Sequence, residues 1–207
     1  MKVEIIAVII GWLLGILSTP LVIYFSGLVE RKRFKDVLNE ELREVRFRLA
    51  LSVYQLRLHL SKIDRPFLEW MALEMGVYSE DPVRISTLKV VQSMLDHSDT
   101  DLLAINSENR KLLVTKSFPK VILPYLSSKI DSIALLPSAK QKELVNLLHY
   151  VETINVKSSE LDEWNFLSFQ VDDNENHKRA SENAECSIQA ITNTCEKSIE
   201  CIKNYFS

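Results

Sequence analysis

The sequence predicts an all-α protein in which a single N-terminal transmembrane helix is followed by a cytoplasmic multi-helix bundle. Three observations favour this fold class. Residues 5–29 carry no charge, the rest of the chain repeats apolar residues every three or four positions, and 207 residues include only 4 glycines and 6 prolines. Strand-like alternation of apolar and polar residues is missing. We therefore divide the chain into a transmembrane anchor, 1–29, and a soluble helical domain, 30–207.

The anchor is predicted from the length of its apolar run. Most of the 25 residues from Ile5 to Val29 are Ile, Leu or Val. The hydrocarbon core of a bilayer is about 30 Å thick and needs roughly 20 helical residues to cross it. A cleavable signal peptide is the main alternative, but its apolar stretch is only about 7–15 residues long. A buried core helix fits less well, because such a helix usually keeps a polar stripe.

The residues on either side of the run predict its orientation. Four basic residues follow it closely, whereas only Lys2 precedes it; they are Arg31, Lys32, Arg33 and Lys35. The more basic flank stays in the cytoplasm. We therefore expect the N-terminus outside and the domain on the cytoplasmic side of the inner or plasma membrane. This basic cluster can also bind anionic lipid head groups, although the topology signal alone accounts for it.

A row of small residues lies along one face of the predicted membrane helix. Its members are four positions apart, and they are Ala7, Gly11, Gly15 and Thr19. Small side chains let two helix backbones approach closely, so the row predicts pairing with a second copy or with another membrane subunit. The alternative is that glycine is simply common in membrane helices.

The soluble domain begins with a predicted long helix over residues 30–63, which lack glycine and proline and carry two apolar stripes. Shorter helices follow over 64–136. One should begin at Pro82, with Asp81 as its cap. Pro119 and Pro124 should open another, which carries apolar residues from Ile122 to Ile133. Residues 97–101 are a predicted loop, and the stretch 111–117 could form a short strand.

Two more long helices complete the predicted bundle. Pro137 opens the first, which carries an apolar stripe to about Phe169. After a polar break at 171–176, Asn176 is the candidate cap of the last helix, which ends near Phe206. The first helix after the anchor is basic and the last is acidic, so they should attract each other or bind charged partners.

Composition and motifs argue against several functions. The net charge of −3 disfavours nucleic-acid binding, which usually needs a basic surplus. Nucleophile-elbow, Walker and dinucleotide-binding motifs are all missing, and only Gly76 among the glycines lies in the soluble part. We therefore predict no enzyme activity and no cofactor.

The cysteines and histidines predict neither a disulfide framework nor a metal site. The three cysteines fall in one late helical pattern, which favours a reducing compartment. The most plausible metal-binding set has spacings of nine, nine and six residues, which lack the short pairs of structural zinc sites. Its members are His177, Cys186, Cys195 and Cys201.

Five aromatic residues are candidates for either the core or an interface: Phe67, Trp70, Trp164, Phe166 and Phe169. Exposed aromatics often anchor protein interfaces. In a helical domain of this size, however, they more often fill the core, and we expect that role here.

These observations predict a membrane-anchored helical interaction protein of scaffold or regulatory type. It would bind protein partners at the cytoplasmic face and self-associate through its membrane helix. One alternative is a membrane-perturbing effector, because the layout is similar to that of small single-span proteins of bacterial stress and phage-defence loci. A second is a noncatalytic subunit of a membrane-associated enzyme complex.

Overall fold

The computed structural model describes residues 2–76, 82–109, 118–170 and 174–207, and within these ranges it contains helices and no strand. Side chains are not described at a few helical positions, including 2–10, 13, 14, 17 and 19. The helices are α1 (Lys2–His59), α2 (Arg65–Gly76), α3 (Pro82–Leu95), α4 (Asp99–Asn109), α5 (Pro124–Ser128), a 3₁₀ segment (Ile130–Leu135), α6 (Ser138–Gln170) and α7 (Asn174–Phe206). The predicted all-α class is confirmed.

Helix α1 is 58 residues long, so the predicted helix after residue 30 continues unbroken from the apolar run. Its end has the hydrogen bonds of a Schellman motif, in which Ser61 N–H donates to Leu58 O (3.1 Å) and Lys62 N–H to Arg57 O (2.8 Å). Ser61 has φ of 56°, a conformation that usually favours glycine. Its hydroxyl donates to the backbone oxygen of Asn106 in α4 at 2.9 Å, which ties this turn to the bundle.

Helices α1, α6 and α7 form the main body of the bundle, and α7 runs antiparallel to the other two. At one end, the guanidinium of Arg43 lies 5.9 Å from the ring of Phe206. Further along, Arg57 Nη2 pairs with Glu196 Oε1 at 2.7 Å. The predicted attraction between the basic first helix and the acidic last helix is therefore visible as one ion pair within the bundle.

The core consists of the apolar stripes that the sequence predicts. Apolar side chains spaced by three or four from α1, α6 and α7 form one buried cluster, to which α2 contributes as well. Its most deeply buried members include Leu38, Leu42, Leu49, Leu68, Met71, Leu144, Leu147, Ile154, Ile191 and Ile199.

The predicted helix from Pro119 to Ile133 is wrong in its first part. Residues 118–123 have no regular secondary structure, and α5 begins only at Pro124. A proline disfavours the helical conformation of the residue before it, and Leu123 accordingly has φ −125° and ψ 70°. The side chain of Asn155 in α6 also forms two hydrogen bonds with the backbone of Val121. It donates to the Val121 oxygen and accepts from the Val121 N–H, at 2.8 Å each.

The other predicted helix starts agree to within a few residues. Helix α3 begins at Pro82, whereas its predicted cap Asp81 and the predicted strand at 111–117 lie outside the described residues. The predicted loop 97–101 is shorter, because α4 starts at Asp99. Ser98 caps it, since the Ser98 hydroxyl accepts from Asp101 N–H at 3.2 Å. Helix α7 begins at Asn174, two residues before the predicted cap.

Candidate functional site

The first part of α1 is a long exposed apolar surface. Every side chain that the structure describes between residues 11 and 30 is exposed. Nine of them are large apolar residues, and they do not belong to the core cluster: Trp12, Ile16, Leu21, Val22, Ile23, Tyr24, Phe25, Leu28 and Val29. Residues 20–30 are consecutive and cover three helical turns, so the exposure extends around the whole circumference of the helix.

The polar side chains of this segment bond within the helix itself. Ser18 Oγ donates to Gly15 O at 2.8 Å, and Ser26 Oγ donates to Ile23 O at 2.9 Å. These bonds leave both hydroxyls satisfied without water, which is what a helix surrounded by lipid requires.

Two of the four small residues of the predicted packing row can be described. Gly11 and Gly15 are exposed, and a Cβ atom added to either would meet nothing within 4 Å beyond the adjacent backbone of its own helix. The side chains of Ala7 and Thr19 lie outside the described part. A larger side chain at Gly11 or Gly15 would therefore disturb nothing in the chain's own fold.

The basic cluster comes directly after the apolar segment, on the same helix. Lys32 and Arg33 are exposed, and Arg31 and Lys35 are half-buried. The ion pairs found among the described residues do not involve any of the four. Positive charge is therefore concentrated within two turns of the end of the apolar run.

No helix is long and apolar enough to cross a membrane when only the described residues are considered. The predicted anchor includes the side chains of 5–10, which lie outside that part of the chain. The transmembrane helix and its orientation therefore stay predictions.

A buried carboxylate joins three helices of the bundle. Glu74 in α2 is 2% exposed, and its Oε2 accepts from Arg46 Nε (2.8 Å) and Nη2 (2.7 Å) in α1. Its Oε1 accepts from Lys203 Nζ in α7 at 2.7 Å. Two cations surround one carboxylate, so the buried charge is fully paired.

An open cleft of about 370 Å³ lies between α1, α2 and α7. Arg57 lines it, stacks on the ring of Phe67 at 4.5 Å and pairs with Glu196. Trp70 also lines it and is half-buried. These four side chains are all engaged in ion pairs or packing.

The aromatic residues divide between core and surface. Phe67 is buried in the core cluster, and Trp70 and Trp164 pack against the edge of that cluster, as expected. Phe166, in contrast, is 62% exposed, so the expected core role is wrong for this residue. Phe169 lies outside the side chains that the structure describes.

No match was found to a protein-family model, a curated protein or a solved structure.

The described cysteines and histidines do not come together as metal ligands. Within the described part of the chain, no three His, Cys, Asp or Glu side chains are close enough to hold an ion. Burial raises the pKa of Cys195, and burial together with a hydrogen bond to Glu143 raises the pKa of Cys201 to about 11. Both thiols are therefore neutral packing groups at neutral pH.

The sequence did not single out the polar residues that fix the connections between helices. Buried Asn106 donates from Nδ2 to Ile63 O at 2.8 Å, Ser158 donates to Phe118 O at 2.7 Å, and Glu41 accepts from the N–H groups of Tyr125 and Leu126. Each of these side chains bonds to a backbone group that has no hydrogen-bond partner within a regular helix. One signal was available, since Ser158 interrupts the apolar stripe of α6.

Proposed function

We propose that this chain is a single-pass membrane protein, in which residues 5–29 cross the bilayer and the helical bundle binds protein partners at the cytoplasmic face without catalysing a reaction. The main support is the exposed apolar segment at 11–29, which continues directly into the packed part of α1.

Exposure of this extent is unfavourable in water. Each Å² of apolar surface costs about 25 cal/mol, and soluble proteins rarely expose apolar patches above a few hundred Å². A helix that docks on another protein needs an apolar stripe on one side only. This segment is apolar on all sides and lacks charge over 25 residues, so lipid is the surrounding that best covers it.

Tethering gives the bundle a role as an interaction module. An anchored domain is confined to a surface, which raises its effective concentration for other membrane proteins. Gly11 and Gly15 offer a smooth face for a second membrane helix, and their surroundings within this chain are empty. Pairing through this face would assemble copies or partners beside the bundle.

Crosslinking in intact membranes tests the proposal. We expect the full-length chain to crosslink to a second copy or to the same small set of membrane-associated proteins in repeated experiments. Gly11→Leu with Gly15→Leu should remove the crosslinks made through the membrane helix while leaving the bundle folded.

A matched control uses Val145→Leu with Val156→Leu, at two exposed positions of α6. This variant should crosslink like the unmodified chain. If the glycine variant keeps every crosslink, pairing through the small-residue face is wrong. If the unmodified chain yields no crosslink in membranes, the interaction role is wrong.

The orientation has its own test. A reporter that is active only in the cytoplasm, fused after Ser207, should be active in the full-length chain. Changing Arg31, Lys32, Arg33 and Lys35 to glutamine should reduce this activity, because the basic flank is what retains the domain inside. Activity of a reporter that works only outside the cytoplasm would contradict the proposed orientation.

A further inference from the structure

The segment α5 and the 3₁₀ helix that follows it lie beside the first turns of α1 after the apolar run. The ring of Phe34 is 5.9 Å from the ring of Tyr125. The carboxylate of Glu41 accepts hydrogen bonds from the N–H groups of Tyr125 (2.7 Å) and Leu126 (2.8 Å). Helix α5 is therefore fixed to α1, and the 3₁₀ segment that follows it packs against both α1 and the start of α6.

The position along α1 places this segment close to where the apolar run ends. Phe34 is five residues after Val29, a rise of about 7.5 Å along the helix. The head-group layer on each side of a bilayer is about 5–7 Å thick. If residues 5–29 span the hydrocarbon, the contact between Phe34 and Tyr125 lies at the outer boundary of the head groups, and the contact with Glu41 lies about 18 Å from Val29 along the helix.

The surface of the 3₁₀ segment suits such a location. Ile130 is 54% exposed and Leu135 is 45% exposed, whereas Ile133 and Leu136 in the same segment are buried in the core. Lys129 is exposed beside Ile130. Two apolar side chains next to a lysine match the boundary between acyl chains and anionic head groups.

The net positive charge around this segment also suits a contact with anionic lipid head groups. Residues 30–36 and 129–135 together carry five basic side chains and three acidic ones, which are Glu30, Asp36 and Asp131. The acidic side chain of Glu41 is already engaged with backbone N–H groups. The end of the bundle next to the apolar run is therefore basic, although the whole chain has a net charge of −3.

We propose that residues 129–135 form a second membrane contact, which docks on anionic lipid head groups and holds the bundle against the bilayer. This inference rests on the proposed function, because it requires that α1 spans the membrane. The contact would restrict how far the bundle can swing about α1, so that the same side of the bundle always faces its partners.

Site-directed fluorescence in lipid nanodiscs tests this contact. The full-length chain would carry Cys186→Ser, which leaves the buried Cys195 and Cys201. A polarity-sensitive dye would be attached at one of three positions, introduced as Ile130→Cys, Val156→Cys or Val22→Cys. Val156, at 52% exposure, matches Ile130 but lies on α6, well away from the apolar run.

We expect the dye at position 22 to be in hydrocarbon, the dye at 130 to be blue-shifted and several-fold less quenched by aqueous iodide, and the dye at 156 to behave as in water. In discs of phosphatidylcholine alone, the protection at position 130 should fall compared with discs that contain phosphatidylglycerol.

The three positions separate two kinds of failure. If position 22 is in hydrocarbon but 130 is quenched as strongly as 156, the second contact is wrong and the proposed function stands. Equal protection at 130 in both kinds of disc would refute the role of anionic lipid. If position 22 is itself open to iodide, the membrane span is wrong and this inference falls with it.

Discussion

Both halves of α1 contain many leucine and valine residues, yet their surroundings are opposite. In the first half, every described side chain from residue 11 to 30 is exposed. In the second half, Leu38, Leu42, Leu49 and Val53 are each at most 1% exposed. The difference teaches that apolar content alone does not decide where a helix packs.

What differs is the arrangement of polar residues. In the second half, charged residues such as Glu40, Arg43 and Arg48 occupy the outer face and leave an apolar stripe that packs against α7. In the first half no charged residue interrupts the apolar surface between residues 5 and 29. A bundle can cover one stripe, whereas only an apolar surrounding covers every side.

The comparison is tested most strongly by the same substitution in each half. Leu49→Ala should lower the free energy of unfolding of the bundle by about 2–5 kcal/mol, because it leaves a cavity at a buried position. Leu21→Ala, at a 52% exposed position, should change it by no more than about 0.5 kcal/mol. Chemical unfolding in mild detergent, followed by circular dichroism, measures both. Equal losses would mean that the first half also packs against the bundle.

The buried half of α1 is further fixed by the pairing of Arg46 with Glu74. Glu74→Gln keeps the shape but leaves Arg46 and Lys203 without their carboxylate, so we expect a loss of about 3 kcal/mol. Glu40→Gln is the matched control, since its pair with Arg43 is exposed and should contribute at most about 0.5 kcal/mol. Similar unfolding midpoints for the two variants would show that the buried cluster adds no stability.

Thiol reactivity reports how completely α7 is covered. At pH 7.5 a maleimide should modify exposed Cys186, whereas Cys195 and Cys201 should react only after unfolding, because burial raises the pKa of both. The reaction of Cys201 should become faster as the pH rises toward its pKa of about 11. Mass spectrometry of the modified chain would show one label per folded molecule and three per unfolded one. Rapid modification of three thiols at neutral pH would contradict the packing of α7.

The smallest effect is expected where the buried half of α1 ends. Ser61→Gly relieves the positive φ but removes the hydrogen bond to Asn106, and each contribution is about 1 kcal/mol, so the two should nearly cancel. Ser61→Val loses the bond and worsens the strain, and we expect it to cost about 2 kcal/mol. A large loss in the glycine variant, measured by urea unfolding, would mean that the hydroxyl outweighs the backbone strain.

Much of the fold could be predicted from periodicity, because stripes such as Leu144, Leu147, Val151 and Ile154 leave little choice of buried face. The irregular segment before Pro124 could not be predicted, since it depends on Asn155, a residue more than thirty positions away. Periodicity describes local sequence and carries no information on such distant partners. For the candidate site, the apolar run and the basic cluster could be predicted from the sequence. That Ile130 and Leu135 belong to the same end of the molecule could not, because it depends on how α5 packs on α1.

The most direct test of the central claim is extraction of native membranes with alkaline carbonate. The account predicts that the full-length chain stays in the membrane pellet. Introducing Ile16→Asp with Val22→Asp should shift it toward the supernatant, because each charge near the centre of a membrane helix costs about 2.5–3.5 kcal/mol. Val145→Asp with Val156→Asp in α6 should leave it in the pellet. Recovery of the unmodified chain in the carbonate supernatant would contradict the account.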